Sequence, residues 1–196
     1  MPIGHYLEVR NKVTKEFCKR SKKRPDLPRE EAEEFFKTRC NVWEASDPCK
    51  QLRSILASAK VPLGITKIVA FACCTFSCIT QKPFSARGVV RSAVQHALIL
   101  TLRDILSETN GGPSEEIICY AQDPIYSNLD KSILEQSGIK ILDDPEGFLE
   151  VDESTVVLSF CPNVCVRQVV TDIARPAMMI WDRIRWNEDE MEGKPT

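Results

Sequence analysis

Residues 117–126 read Ile117-Ile118-Cys119-Tyr120-Ala121-Gln122-Asp123-Pro124-Ile125-Tyr126. An apolar, strand-forming run goes straight into Asp-Pro, and a segment of helical character follows. Residues 67–74 and 155–162 repeat the design. Each ends a β-rich run in polar or sulfur-bearing residues before a helical pattern begins. Repeated strand-loop-helix units with chemistry at the carboxyl end of the strand describe an open α/β sheet with a crevice at that edge.

Working outward, strands are expected at 67–75, 116–121, 139–142 and 155–160. The last is an unbroken aliphatic run of the kind buried on both faces. Between them, residues 85–107 carry Ala86, Val90, Ala93, Ala97 and Leu100 at helical spacing, and 128–137 form a shorter helix closed by Gly138. Residues 164–174 are expected to be helical, with Pro176 interrupting and 177–186 resuming the helix. Right-handed crossovers make 3-2-1-4 the expected strand order in a mostly parallel sheet. Strands one and four are then neighbours from which the chain departs in opposite directions, the topological switch point where open α/β sheets bind ligands.

The 196 residues suffice for one domain with a real core. Ahead of it, residues 1–45 form a charged helical appendage. Its run Lys19-Arg20-Ser21-Lys22-Lys23-Arg24 has the form of a nuclear-import or nucleic-acid patch. The reading favoured here is a solvated helix face balanced by the acids at Glu30, Glu31, Glu33 and Glu34. The core domain spans 46–186. It opens with Ser46-Asp47-Pro48 capping a helix whose inward stripe is Cys49, Leu52, Ile55 and Leu56. Residues 187–196 are an acidic tail.

Apolar content of 43% and charged content of 28% are those of an ordinary globular protein. The net charge of -2 argues against a protein built to coat nucleic acid, which is not an expected partner. Residues 1–10 lack the apolar core of a signal peptide, and no apolar run approaches the roughly 18 residues of a membrane span. The expectation is a cytoplasmic or nuclear protein without membrane association. In such a reducing compartment most of the nine cysteines should be free thiols acting as small hydrophobes.

The loop after strand one is Cys73-Cys74-Thr75-Phe76-Ser77-Cys78, with no glycine between Gly64 and Gly88. A glycine-rich phosphate cradle is therefore not expected. Thr75 and Ser77 could donate hydroxyl hydrogen bonds to a ligand or cap the following helix. Asp123 stands where dinucleotide-binding folds place the acid that holds a ribose diol; equally, Asp123-Pro124 is an Asx-turn that needs no ligand. After strand four, Cys161-Pro162-Asn163 supplies Asn163 as an N-cap for the next helix. Cys74, Thr75, Ser77, Gln95, Asp123, Tyr126, Cys161 and Asn163 are the candidate ligand-binding residues.

Cys73, Cys74, Cys78, Cys161 and Cys165 would converge if strands one and four are adjacent. Thiolates so placed could bind a thiophilic metal or form a redox disulfide, but three-residue spacings are weaker metal signals than two-residue ones, and no metal site is expected. Cys161-Pro162 also has the form of haem-responsive dipeptides, a motif with almost no specificity. The cofactor stays open. The histidines are His5 and His96, and His96 falls at the edge of the polar strip Arg87, Arg91 and Gln95, so a helix-surface or core-edge imidazole is expected. No nucleophile elbow, zinc-protease helix or paired-carboxylate motif is present.

Several motifs in order, Phe84-Ser85-Ala86-Arg87 with Gln95-His96-Ala97, Asp123-Pro124-Ile125-Tyr126, Leu142-Asp143-Asp144-Pro145 and Ser159-Phe160-Cys161-Pro162-Asn163, resemble the sensitivity-to-red-light-reduced-like domain family. The string from Val166 to Ala177 resembles its fungal members. The resemblance covers roughly 67–184 and implies a three-layer, Rossmann-like α/β sandwich. It also implies a regulator, since family members are linked to light and clock signalling, haem metabolism or the cytoskeleton, with no reaction to carry over. The family usually has a Gly-Leu-Gly-like turn where this chain has Ala72-Cys73-Cys74, which puts any ligand bound by that turn in doubt.

Two functions follow. The leading one is a regulatory or interaction protein with a protein partner and a small nucleoside-like ligand at the strand ends. The other is an enzyme using the same crevice, either a nucleotide or adenosylmethionine transferase or a cysteine-dependent catalyst.

Overall fold

The computed structural model describes residues 26–78, 83–109, 116–160 and 162–182. The basic run 19–24, His5, Cys18, the turn at 110–113, Cys161 and the acidic tail lie outside the described residues. Helices α1 (Arg29–Ala45) and α2 (Asp47–Ser58) precede strand β1 (Lys67–Phe71). Then come α3 (Pro83–Thr109), β2 (Ile118–Gln122), α4 (Asn128–Gln136), β3 (Ile139–Ile141), α5 (Glu146–Leu149), β4 (Thr155–Ser159), α6 (Val166–Ile173) and β5 (Met178–Trp181).

All five strands are parallel, in the order β3-β2-β1-β4-β5. The expected 3-2-1-4 order is present, with β5 added outside β4. β1 lies between β2 and β4, so Phe71 pairs with Gln122 on one side and Ser159 on the other. Every residue of β4 is buried, as its unbroken apolar run requires.

The fifth strand corrects the helix expected over 177–186. Met178-Met179-Ile180-Trp181 is a short apolar run, and such runs do not distinguish strand from helix by periodicity. Pairing decided it: β4 exposes a second row of backbone groups, and β5 satisfies them from Val156↔Met178 to Ser159↔Trp181.

Helices cover both faces, giving the three-layer α/β sandwich. On one face Ile68, Ala70, Cys119, Ala121, Val156 and Leu158 pack with Ala32 and Phe36 of α1, Ile99 and Leu102 of α3, and Ile133 and Leu134 of α4. On the other, Val69, Phe71 and Val157 meet Phe148, Val151, Val166 and Val170, contributed by α5, the turn after it and α6. The helix starts are locally specified. Ser46 Oγ accepts from Cys49 N at 3.3 Å to begin α2, while Ser127 and Asp130 form a reciprocal capping box on α4. Cys49 and Leu56 are buried on α2, but Ile55, expected inward, is 61% exposed. The helix turns only a narrow stripe inward.

Candidate functional site

Because β1, β2 and β4 run parallel, the loops that follow them lie along one edge of the sheet. The β1–α3 loop is wound tightly there. Ala72 (φ 59°) and Cys74 (φ 63°) both adopt the left-handed conformation that glycine accepts most readily. They are the first and third positions of Ala72-Cys73-Cys74, the turn at which the family resemblance implies Gly-Leu-Gly. The backbone keeps the glycine shape with two side chains in place of hydrogen.

What holds this loop is the polar chemistry of its neighbours. Asp123 Oδ2 accepts from Cys74 N at 2.8 Å, and Oδ1 accepts from Ile125 N at 3.0 Å, closing the Asx-turn. Burial raises the Asp123 pKa, and these two amides oppose the rise. Ser92 Oγ on α3 donates to Cys74 O at 2.6 Å. Asp130, fully buried, accepts from Phe76 N at 3.1 Å, Ser77 N at 3.0 Å and Ser127 N at 2.9 Å, tying the loop to the start of α4. Ser77 and Ser127 hydroxyls meet at 3.0 Å.

His96 is 0% exposed, deeper than the helix-surface or core-edge position that its place beside the polar strip suggests. Phe36 from α1 and Phe76 from the loop close over it, with ring centroids at 6.4 and 5.6 Å. Its Nδ1 lies 2.7 Å from Ser92 O, an acceptor only, so Nδ1 carries the proton. Nε2 therefore accepts from the Tyr126 hydroxyl, also at 2.7 Å. Burial lowers the His96 pKa to about 4 and raises that of Tyr126 well above the ordinary value, so both are neutral at physiological pH.

The structure thus separates the candidate residues. Ser77 is fully buried, and Gln95 and Tyr126 nearly so, behind the loop. Cys74 and Asn163 are exposed at the edge, and Thr75 is half-buried with a hydroxyl oxygen that has no partner among the described residues. Asn163 does not cap α6. The N-cap is Cys165, which makes no side-chain cap. Cys161 lies outside the described residues.

The sulfurs divide in the same way. Cys73 and Cys119 are buried, whereas Cys74 and Cys165 are exposed. Burial pushes the Cys119 thiol up to about 12, that of Cys40 up to about 11 and that of Cys73 further still. Burial also raises exposed Cys74, joined by the Asp123 charge and opposed by Arg91. None of these four is an activated nucleophile. Among the described residues no three His, Cys, Asp or Glu side chains form a group that could hold a metal ion.

Sequence reasoning missed Ser92, Gln122 and Asp130. Gln122 Nε2 donates to Asp144 Oδ1 at 2.9 Å, and its Oε1 accepts from Gly147 N at 2.6 Å, joining β2 to α5. A side chain at Gly147 would meet that oxygen at 2.6 Å. For Asp130 a signal existed: Ser127-Asn128-Leu129-Asp130 has capping-box spacing with Asp in place of Glu.

No helix among the described residues is long and apolar enough to cross a membrane. Residues 49–194 match the family model of the SRR1 domain, the sensitivity-to-red-light-reduced domain. No curated protein and no solved structure matches the chain.

Proposed function

The chain belongs to the SRR1 domain family, and on that footing we propose that it acts as a regulatory or interaction protein rather than an enzyme. The observation that supports this reading is the use made of Asp123. Asp123 accepts from Cys74 N with one oxygen and from Ile125 N with the other. Both oxygens are thus engaged in shaping the turn, with one further acceptor site left on each, and holding the loop is the use this geometry makes of the acid. His96 and Tyr126 are likewise paired with each other behind the loop. What the edge offers outward is Cys74, Ile125, Asn163, Val164 and Cys165, a mixed apolar and polar rim suited to contact with a partner protein.

The Asp123→Ala variant tests the reading. Loss of two amide partners should lower stability by about 1–3 kcal/mol in chemical denaturation. Incubation of the wild-type chain with nucleotides or adenosylmethionine should give no product. The enzyme reading would replace this one if product formed and Asp123→Ala abolished it while leaving the unfolding curve unchanged.

A further inference from the structure

Ser159, the last residue of β4, is 0% exposed, yet its hydroxyl has no hydrogen-bond partner among the described residues. Buried polar groups are nearly always paired, so an unpaired one calls for a partner. Strand alternation puts the Ser159 side chain on the same face as Val157, and Val157 packs against Val166 and Val170 of α6. Ser159 stands beyond Val157 toward the carboxyl edge, the edge at which α6 begins. Its hydroxyl therefore lies on the face of the sheet that α6 covers, at the edge where that helix begins.

That turn is open. Cys165 provides no side-chain cap, and no acid lies in the turn. Val166 N donates to Val164 O and Val169 N to Cys165 O, while the amides of Arg167 and Gln168 have no backbone acceptor among the described residues. The Arg167 side chain is exposed in the same turn. A second buried hydroxyl oxygen without a partner, that of Thr75, lies in the loop after the neighbouring strand β1. Free amides at the positive end of a helix, joined by a buried hydroxyl donor, are the elements of an oxyanion site.

We propose that Ser159 and the first turn of α6 form a subsite for a phosphate group, inorganic or carried as the monoester of a small ligand. The inference stands apart from the regulatory reading, since a bound phosphate is compatible with regulation and with catalysis alike.

Calorimetric titration of the full chain with inorganic phosphate and with adenosine monophosphate, against sodium chloride of equal ionic strength, tests it. Binding of either is expected. Response to both means that the phosphate alone is held, and response to the nucleotide alone means that the ester is required. Ser159→Ala should weaken binding about tenfold or more, the loss of one hydrogen bond to a charged group. Its thermal midpoint without ligand should hold or rise, because the hydroxyl has no partner to lose. Arg167→Glu should abolish binding while leaving the fold intact, since an acid suits a helix start. The proposal is overturned if neither compound binds beyond the chloride control, or if Ser159→Ala binds as the wild type does.

Discussion

At the scale of single residues, His96 is held on both ring nitrogens. It is fully buried, its Nδ1–H is taken by Ser92 O, and its Nε2 is satisfied only by the Tyr126 hydroxyl. Tyr126→Phe leaves that nitrogen buried without a donor, an effect of about 1–3 kcal/mol. The pH dependence has a definite sign. The folded-state pKa is depressed to about 4 from an ordinary 6.5. The unfolded chain therefore takes up a proton that the native one refuses. Stability from this site is full above pH 6.5 and falls by roughly 1 kcal/mol per pH unit as the pH drops toward 4. Denaturation midpoints at pH 7 and pH 5 check this. A His96→Phe variant should lose the His96 share of that slope, and an unchanged slope in it would place the titration elsewhere.

At the scale of elements, the β1–α3 loop is where sequence and structure part company. Positive φ is announced by glycine, and the loop has none, so nothing local marks Ala72 and Cys74 as left-handed. Cys74 is exposed, and its side chain makes only a weak 3.9 Å contact with Ala72 O. Cys74→Gly should therefore relieve about 1–2 kcal/mol of conformational strain. Extra freedom in the unfolded chain takes back about 0.4–1 kcal/mol. A net gain near 0.5–1 kcal/mol in urea unfolding is the expected result; destabilisation would show that the thiol has a structural role. The strands, by contrast, were legible. Residues 67–71, 118–122 and 155–159 are dense in Val, Ile and aromatic side chains, and crossover handedness then sets their order. Met178–Trp181 was not, because four apolar residues after a proline suit either state until a neighbour supplies hydrogen bonds. The site was legible as a place, the carboxyl edge, but not as an arrangement. Asp123 stood out by position, while its engagement with Cys74 N depends on a loop shape that no local motif encodes.

At the scale of the whole molecule, the open question is what residues 1–45 contribute. Charge patterning divides the chain at 45 and leaves a domain of residues 46–186. The contacts of α1 bear on that division. Ala32 is fully buried, and Phe36 stacks on Phe76 with ring centroids 4.8 Å apart. Trp43 Nε1 donates to Thr101 Oγ1 on α3 at 3.0 Å, and Leu27 N donates to Ser77 O at 2.7 Å. Phe36 also forms part of the wall that keeps His96 dry. Removing a buried Phe side chain alone destabilises by about 3–5 kcal/mol, against a usual total stability of about 5–15 kcal/mol. A chain of residues 46–196 loses that ring and the rest of α1, and it opens the His96 site to water. It is therefore expected to lack a sharp unfolding transition and to bind a hydrophobic dye. Phe36→Ala in the full chain should fold with a lowered midpoint, which separates loss of this contact from loss of the whole helix. If residues 46–196 instead unfolded cooperatively at the wild-type midpoint, the first 45 residues would be an appendage in the thermodynamic sense as well as by charge.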